Sequence, residues 1–106
     1  MEPLIIDCAA FCHSPILGQR AQAQPLRTLL ETHIAQNHPV ICDFRGVEVL
    51  TSAFMDECFG QLWDHVPHDT LRTLIRVRHL NANNHAIWQF VLAHRNTASH
   101  PRHNDA

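Results

Sequence analysis

The residues best suited to chemistry in this sequence lie between Asp43 and Glu57. Asp43 stands inside the apolar run VICDF, where a carboxylate is costly to bury unless hydrogen-bond donors surround it. Further along, the hydroxyl residues Thr51 and Ser52 precede the acidic pair Asp56 and Glu57. A hydroxyl at a helix N-terminus can cap the helix or accept a phosphate, and the positive end of the helix dipole can hold an anion there. The segment therefore predicts a helix cap or a regulatory binding site.

Three interpretations of these hydroxyl and acidic residues are open from the sequence alone. In the first, Thr51 or Ser52 only caps the helix, while the acidic pair only complements the helix dipole. In the second, a hydroxyl carries a phosphate, which the acidic pair one turn onward would repel. In the third, the carboxylates form a permanently acidic docking surface. Either binding interpretation uses the same residues, which are Thr51, Ser52, Phe54, Asp56 and Glu57.

An enzymatic function has little support in this segment. Asp43, Ser52 and Asp56 are the residues from which an acid–base or metal site would be built, but neither a histidine nor a glycine-rich phosphate loop stands at a matching spacing. Asp43 is better interpreted as accepting backbone N–H bonds that fasten the following loop, with Gly46 ending the strand. We therefore expect no catalytic residues, no cofactor and a non-enzymatic protein.

Two other clusters of chemically active residues also favour structural interpretations. Cys8, Cys12 and His13 could supply part of a zinc site, but the spacing is not that of a standard zinc knuckle, and alternation would turn both thiols toward the core. We expect no metal. The arginines Arg72, Arg76 and Arg78 could meet an acidic partner or a phosphate, yet they more simply protect the edge of a sheet from pairing.

Alternating strands and helices are predicted to position these residues. The predicted strands are Leu4–Phe11, Val40–Phe44 and Leu71–His79, the last as an edge strand. The predicted helices are Arg20–Asn37 with Pro25 in its first turn, Ser52–Val66, and a final helix of about ten to twelve residues near Ala86–His94. Such alternation predicts an α/β fold with a mostly parallel or mixed small sheet flanked by helices.

Length and composition restrict the class of protein. A chain of 106 residues is expected to form one domain, here residues 1–95, followed by a flexible polar tail at residues 96–106. The net charge of −2 argues against nucleic-acid binding. No apolar run approaches the roughly 20 residues that span a bilayer, and the first residues lack a cationic signal sequence. We therefore expect a cytoplasmic protein with no membrane partner.

The segment DFRGVEVLTSAFMDE resembles the STAS domains, and more closely a bacterial STAS-like family of uncharacterised function. The matching positions comprise an aspartate-containing strand, a glycine–valine turn, a hydroxyl-rich junction, and a phenylalanine with an acidic pair in the helix. Weaker similarity extends back to Gly18 and Arg20 and forward through Asn81. This resemblance implies an α/β fold and a signalling module related to anti-sigma factor antagonists.

The resemblance also implies partners and a mode of regulation. In many STAS regulators a serine at this junction accepts a phosphate from a kinase-like ATPase or anti-sigma partner. Ser52 is the first serine of the junction here, whereas Ala53 occupies the position that more often carries the phosphate. The alternative function is a sensor that holds a small anionic ligand or nucleotide at the same helix N-terminus. Pairing of two copies through an exposed strand edge is left open.

Overall fold

A central parallel sheet organises the chain in the computed structural model, which describes the backbone of residues 2–104 and the side chains of residues 2–93. Its strands are β1 (Leu4–Asp7), β3 (Val40–Asp43) and β5 (Ile75–Arg78), in the order β1-β3-β5. Val40 and Cys42 of β3 are fully buried, as expected for a strand with neighbours on both sides. The prediction of a buried central strand from the apolar run is confirmed, and β1 and β5 are the edges.

A second, two-stranded parallel sheet lies beside the first. It pairs β2 (Ile16–Leu17) with β4 (Val49–Leu50), so that Ile16 stands opposite Val49 and Leu17 opposite Leu50. Leu17 and Leu50 face the core, while Ile16 and Val49 remain exposed. This small sheet brings the loop before the first long helix next to the loop that follows β3.

Helices flank the sheets and supply most of the remaining core. They are α1 (Cys8–Phe11), α2 (Arg20–Ala35), α3 (Ser52–Met55), a π-helical turn (Asp56–Gly60), α4 (Gln61–His65), α5 (His68–Leu74) and α6 (Ala82–Asn104). The helical dihedral angles of Asp56, Gly60 and Gln61 make α3, the π turn and α4 one continuous rod. The α/β fold with a parallel sheet flanked by helices is thus confirmed.

The predicted strand over Leu71–His79 is wrong in its first half. Leu71 and Leu74 lie in helix α5, and both are buried, because their spacing of one helical turn turns them toward the core. Only Ile75–Arg78 forms a strand, β5, which is an edge strand as predicted. Arg72 therefore lies on a helix, apart from the strand residues Arg76 and Arg78.

The remaining element boundaries differ from the predictions at their ends. Strand β1 ends at Asp7, whose side chain caps the short helix α1, and Pro25 lies inside α2 rather than in its first turn. Helix α6 extends over Ala82–Asn104 and is longer than predicted. The flexible tail at residues 96–106 stays a prediction, and residues 105–106 lie outside the described part of the chain. Within the described residues, no helix combines the length and apolarity needed to cross a bilayer.

Candidate functional site

Thr51 marks the junction between strand β4 and helix α3. Its hydroxyl accepts a hydrogen bond from the backbone N–H of Phe54 at 3.2 Å and donates one to the carbonyl oxygen of Gly18 at 2.8 Å. Its own backbone N–H donates to the carbonyl of Leu17 at 3.1 Å. Thr51 is therefore the N-cap of the helix, and its half-buried hydroxyl is already used as both donor and acceptor.

Ser52 and Phe54, the next two predicted site residues, face opposite environments. Ser52 is the first residue of helix α3 and is exposed to solvent. Phe54 is fully buried among the core residues and cannot reach a partner in this structure. The junction therefore presents the serine, and not the phenylalanine, to other molecules.

The acidic pair Asp56 and Glu57 lies against two arginines of helix α2. Nη1 of Arg20 is 3.0 Å from Oδ2 of Asp56 and 3.4 Å from Oε1 of Glu57. Arg27 Nη1 donates to both Oε2 and the backbone carbonyl of Glu57, at 2.8 and 2.9 Å. The hydrogen bond from Arg27, more than that from Arg20, holds the pKa of Glu57 below its ordinary value. The carboxylates are thus matched by adjacent cations and tie the π turn to α2.

The π turn itself lies at the centre of the helical rod. Its residues Cys58, Phe59 and Gly60 are buried, while Asp56 and Glu57 face α2. Wider π-helical turns insert an extra residue into an α-helix and occur frequently at functional sites. Here the rod presents acids to α2 and apolar side chains to the core.

Asp43 occupies a second cluster of charged groups, where the three parallel strands end. Its register partners are Asp7 on β1 and Arg78 on β5. Oδ1 of Asp43 accepts from the backbone N–H of Arg45 at 2.9 Å and lies 2.8 Å from Nδ1 of His79, while Nε of Arg78 is 3.4 Å from Oδ2. The Arg45 hydrogen bond, followed by that from His79, lowers the pKa of Asp43 from 3.8 to about 2. A carboxylate with these contacts remains ionised and anchors the loop after β3.

The backbone around this cluster is tightly turned. Gly46 has a φ of +86°, in the left-handed region that glycine adopts without a steric cost. His79 has a φ of +64°, which is uncommon for a residue with a side chain. Nη2 of Arg45 lies 3.1 Å from Nε2 of His79, so the imidazole bridges the carboxylate and the guanidinium. His79 is thereby held by contacts at both ring nitrogens.

Sequence reasoning missed the residues that hold these groups. Arg20 and Arg27 stand two helical turns apart on α2 and hence on one face, a spacing that could have marked them as a pair for the acids. His79 carries no comparable local signal.

Asn84 is the buried polar residue of the described chain. Its amide accepts from the Leu50 N–H and donates to the Val47 carbonyl, both at 3.1 Å.

The cysteines lie mainly in the core. Cys8, Cys42 and Cys58 are buried and Cys12 is half-buried, all as free thiols. Burial raises the pKa of Cys12 to about 11 and raises the pKa of Cys58 well above its ordinary range. Among the residues described, no three His, Cys, Asp or Glu side chains converge in a metal-binding arrangement.

Comparison with known protein families adds one match. The model of a STAS-like domain of unknown function, DUF4325, matches residues 22–85. That match covers more than half of the 106 residues. The chain belongs to this STAS-like family. Neither a curated protein nor a solved structure matches the chain.

The STAS-like region contains the central elements described above. It covers most of helix α2, strand β3, the junction at Thr51 and Ser52, the π turn and strand β5. It also reaches Asn84, which fastens the loop before the junction to α6. The resemblance inferred from the junction sequence is confirmed, and the family assignment defines a domain type without defining a partner.

Proposed function

We propose that this STAS-like domain is a non-enzymatic signalling module that binds a regulatory protein in the bacterial cytoplasm. The expected partner is a kinase-like ATPase or an anti-sigma type protein, as the STAS resemblance implies. The observation that carries the proposal is that the two hydroxyl residues at the junction have different roles. Thr51 caps the helix, while Ser52 is exposed beside it. Ser52 can therefore meet a partner, or accept a phosphate, without loss of the cap.

Exposed apolar residues on the two strands that lead to the junction support a docking role. Ile16 and Val49 are register partners in the small sheet, and they are 52% and 41% exposed. Exposed apolar residues that adjoin a polar rim are typical of the centre of a protein interface. We name the patch formed by Ile16, Val49 and Ser52 the junction surface.

The contact between Arg20 and Asp56 makes a phosphate at Ser52 compatible with the acidic pair. Asp56 would repel a nearby dianion, but Arg20 lies 3.0 Å from its carboxylate and offsets that charge. A phosphate on the first residue of the helix would also be favoured by the helix dipole. The added charge would then change the polarity of the junction surface and release or recruit the partner.

Photo-crosslinking in the native cells tests the proposed surface. A photoreactive amino acid at position 52 is expected to give a discrete adduct whose mass spectrum identifies an ATPase or an anti-sigma type protein. The purified partner should then bind the wild-type chain, and Ile16→Arg should weaken binding by about tenfold or more, as for a central interface residue. Ile5→Arg is the matched control, because Ile5 is also 52% exposed but lies on β1.

Several results would contradict this function. Equal binding by the Ile16→Arg and Ile5→Arg variants would exclude the junction surface. Binding unchanged by Ser52→Ala and Ser52→Asp would exclude control at Ser52. The alternative anion sensor has fewer donors to use at this helix N-terminus, because the Phe54 N–H already bonds to the Thr51 hydroxyl. A shift of the melting temperature by nucleotides or phosphate would revive it.

A further inference from the structure

An apolar cavity lies at the opposite end of the helical rod from Ser52. It has a volume of about 210 Å³, opens to solvent on one side, and is lined by the π turn, α4, α5, the start of β5 and α6. The main lining residues are Phe59, Trp63, Leu71, Arg72, Ile75 and Trp88. None of these belongs to the junction surface, so a function at this cavity is independent of the function proposed above.

Aromatic rings form much of the cavity wall. Phe59 packs edge-to-face against Trp88, with ring centroids 4.9 Å apart. Trp63 stacks on His68 at 4.1 Å. Both tryptophan residues are only half-buried, and both line the cavity. Such surfaces favour a flat aromatic guest, which can stack on one ring and meet the edge of another.

Arg72 gives the cavity its polarity. It is the one charged residue among the described residues that line the cavity, and its guanidinium lies 5.9 Å from the centre of the Trp63 ring. Its ion pair with Asp69 is long, at 3.5 Å, and Asp69 is 98% exposed, so this pair is weak and easily screened. The planar guanidinium therefore retains donors for a carboxylate, which it can bind through two parallel hydrogen bonds.

We propose that this cavity binds a small aromatic carboxylate, with the ring against the two indoles and the acid on Arg72. The size is suitable, since a dry apolar cavity of about 150 Å³ in another protein holds benzene. The additional volume here accommodates a short acid side chain. A neutral arene would not use the donors of Arg72, and an aliphatic acid would not use the aromatic walls.

Intrinsic fluorescence tests this site directly, because both tryptophans of the chain line the cavity. Titration with phenylacetate should give a saturable change in emission below about 10 mM ligand. Phenylacetamide, which has the same shape without the charge, should bind about tenfold or more weakly, since a charged hydrogen-bonded pair contributes more than a neutral one. Indole N–H resonances in two-dimensional NMR provide an independent readout of both rings.

A pair of arginine variants completes the test. Arg72→Gln should reduce phenylacetate binding to the level of phenylacetamide, while Arg76→Gln, on the exposed edge of β5, should bind phenylacetate as the wild type does. The Arg72 side chain is 66% exposed, so the fold should survive its replacement, and circular dichroism checks this. The absence of a saturable change with phenylacetate would overturn the proposal. Equal affinity for acid and amide, or for the wild type and Arg72→Gln, would do so as well.

Discussion

The hydroxyl of Thr51 donates to the carbonyl of Gly18 at 2.8 Å and so ties the start of helix α3 to the segment that leads into α2. The same oxygen caps α3 by accepting the N–H of Phe54. One side chain therefore caps the helix and also links the junction to the Gly18 segment. Its neighbour Ser52, which forms neither of these contacts, is left available at the surface.

Replacement of Thr51 should consequently cost more stability than replacement of Ser52. We expect Thr51→Ala to lower the free energy of unfolding by about 1–2 kcal/mol, because a cap and a second hydrogen bond are lost together. Thr51→Ser keeps the hydroxyl and should recover most of that loss. Ser52→Ala should change the free energy by less than about 0.5 kcal/mol, as for an exposed residue. Urea denaturation of the three variants measures this order, and equal losses at positions 51 and 52 would contradict it.

Replacement of Asn84, the buried polar residue of the described chain, should strongly lower the free energy of unfolding. Asn84→Ala leaves the N–H of Leu50 and the carbonyl of Val47 without their amide partner, and both residues are buried. We expect the free energy of unfolding to fall by about 2–4 kcal/mol, since each unsatisfied buried group costs about 1–3 kcal/mol. Asn83→Ala is the control, because Asn83 is exposed in the same helix turn. If the two variants unfold at the same urea concentration, this account of Asn84 is wrong.

The sequence predicted the parts of this fold that depend on local patterns. The apolar run around Val40 indicated a buried strand, and the spacing of Met55, Cys58, Phe59 and Leu62 indicated the following helix. The segment after Pro67 was misinterpreted because its alternating residues also place Leu71 and Leu74 one helical turn apart. There the contact of α5 with the core, rather than the alternation, decides the structure.

The candidate site was harder to predict because its contacts join distant parts of the chain. The hydroxyl and acidic residues are visible in the sequence, but the arginines that bind the acids lie on α2, and the imidazole that binds Asp43 follows β5. The spacing of Arg20 and Arg27 is the one local sign of such a pairing, and it does not say which acids the two arginines contact. The burial of Phe54 likewise depends on how the helical rod is rotated against the sheets.

Gly46 and Gly18 should respond differently to the same substitution. Gly46→Ala places a side chain at a φ of +86°, and we expect it to cost about 1–2 kcal/mol of unfolding free energy. The nearest side-chain atom to the new Cβ, on Ala9, is 3.8 Å away, so the cost comes from the backbone and not from a clash. Gly18→Ala would have ordinary contacts at 3.6 and 3.8 Å without a positive φ, and should leave stability unchanged or raise it by up to about 1 kcal/mol. Thermal and urea unfolding of both variants test this order. A larger loss of unfolding free energy for Gly18→Ala than for Gly46→Ala would contradict it.

Asp43 should make stability depend on pH in the acid range. Its pKa is lowered in the folded chain to about 2, chiefly by the Arg45 N–H and then by His79. Well above the ordinary pKa of 3.8, the carboxylate is ionised in both the folded and the unfolded chain, and its full stabilising contribution is present. As the pH falls toward about 2, the unfolded chain takes up this proton first, so the free energy of unfolding decreases. Urea denaturation at a series of pH values between about 2 and 6 measures that decrease.

The Asp43→Asn variant should remove this contribution, so its free energy of unfolding should depend less on pH in the acid range. An asparagine at position 43 can still accept the Arg45 N–H, but it has no charge to attract His79 or Arg78 and no proton to take up. The variant is therefore expected to be less stable than the wild type near neutral pH, with the difference shrinking as the pH falls toward 2. Asp69→Asn is the control, because the Asp69 side chain is 98% exposed. Glu57, whose pKa is also lowered, maintains part of the acid dependence in both variants. A difference between Asp43→Asn and the wild type that stayed constant over this range would show that Asp43 acts only through its shape and its neutral hydrogen bonds.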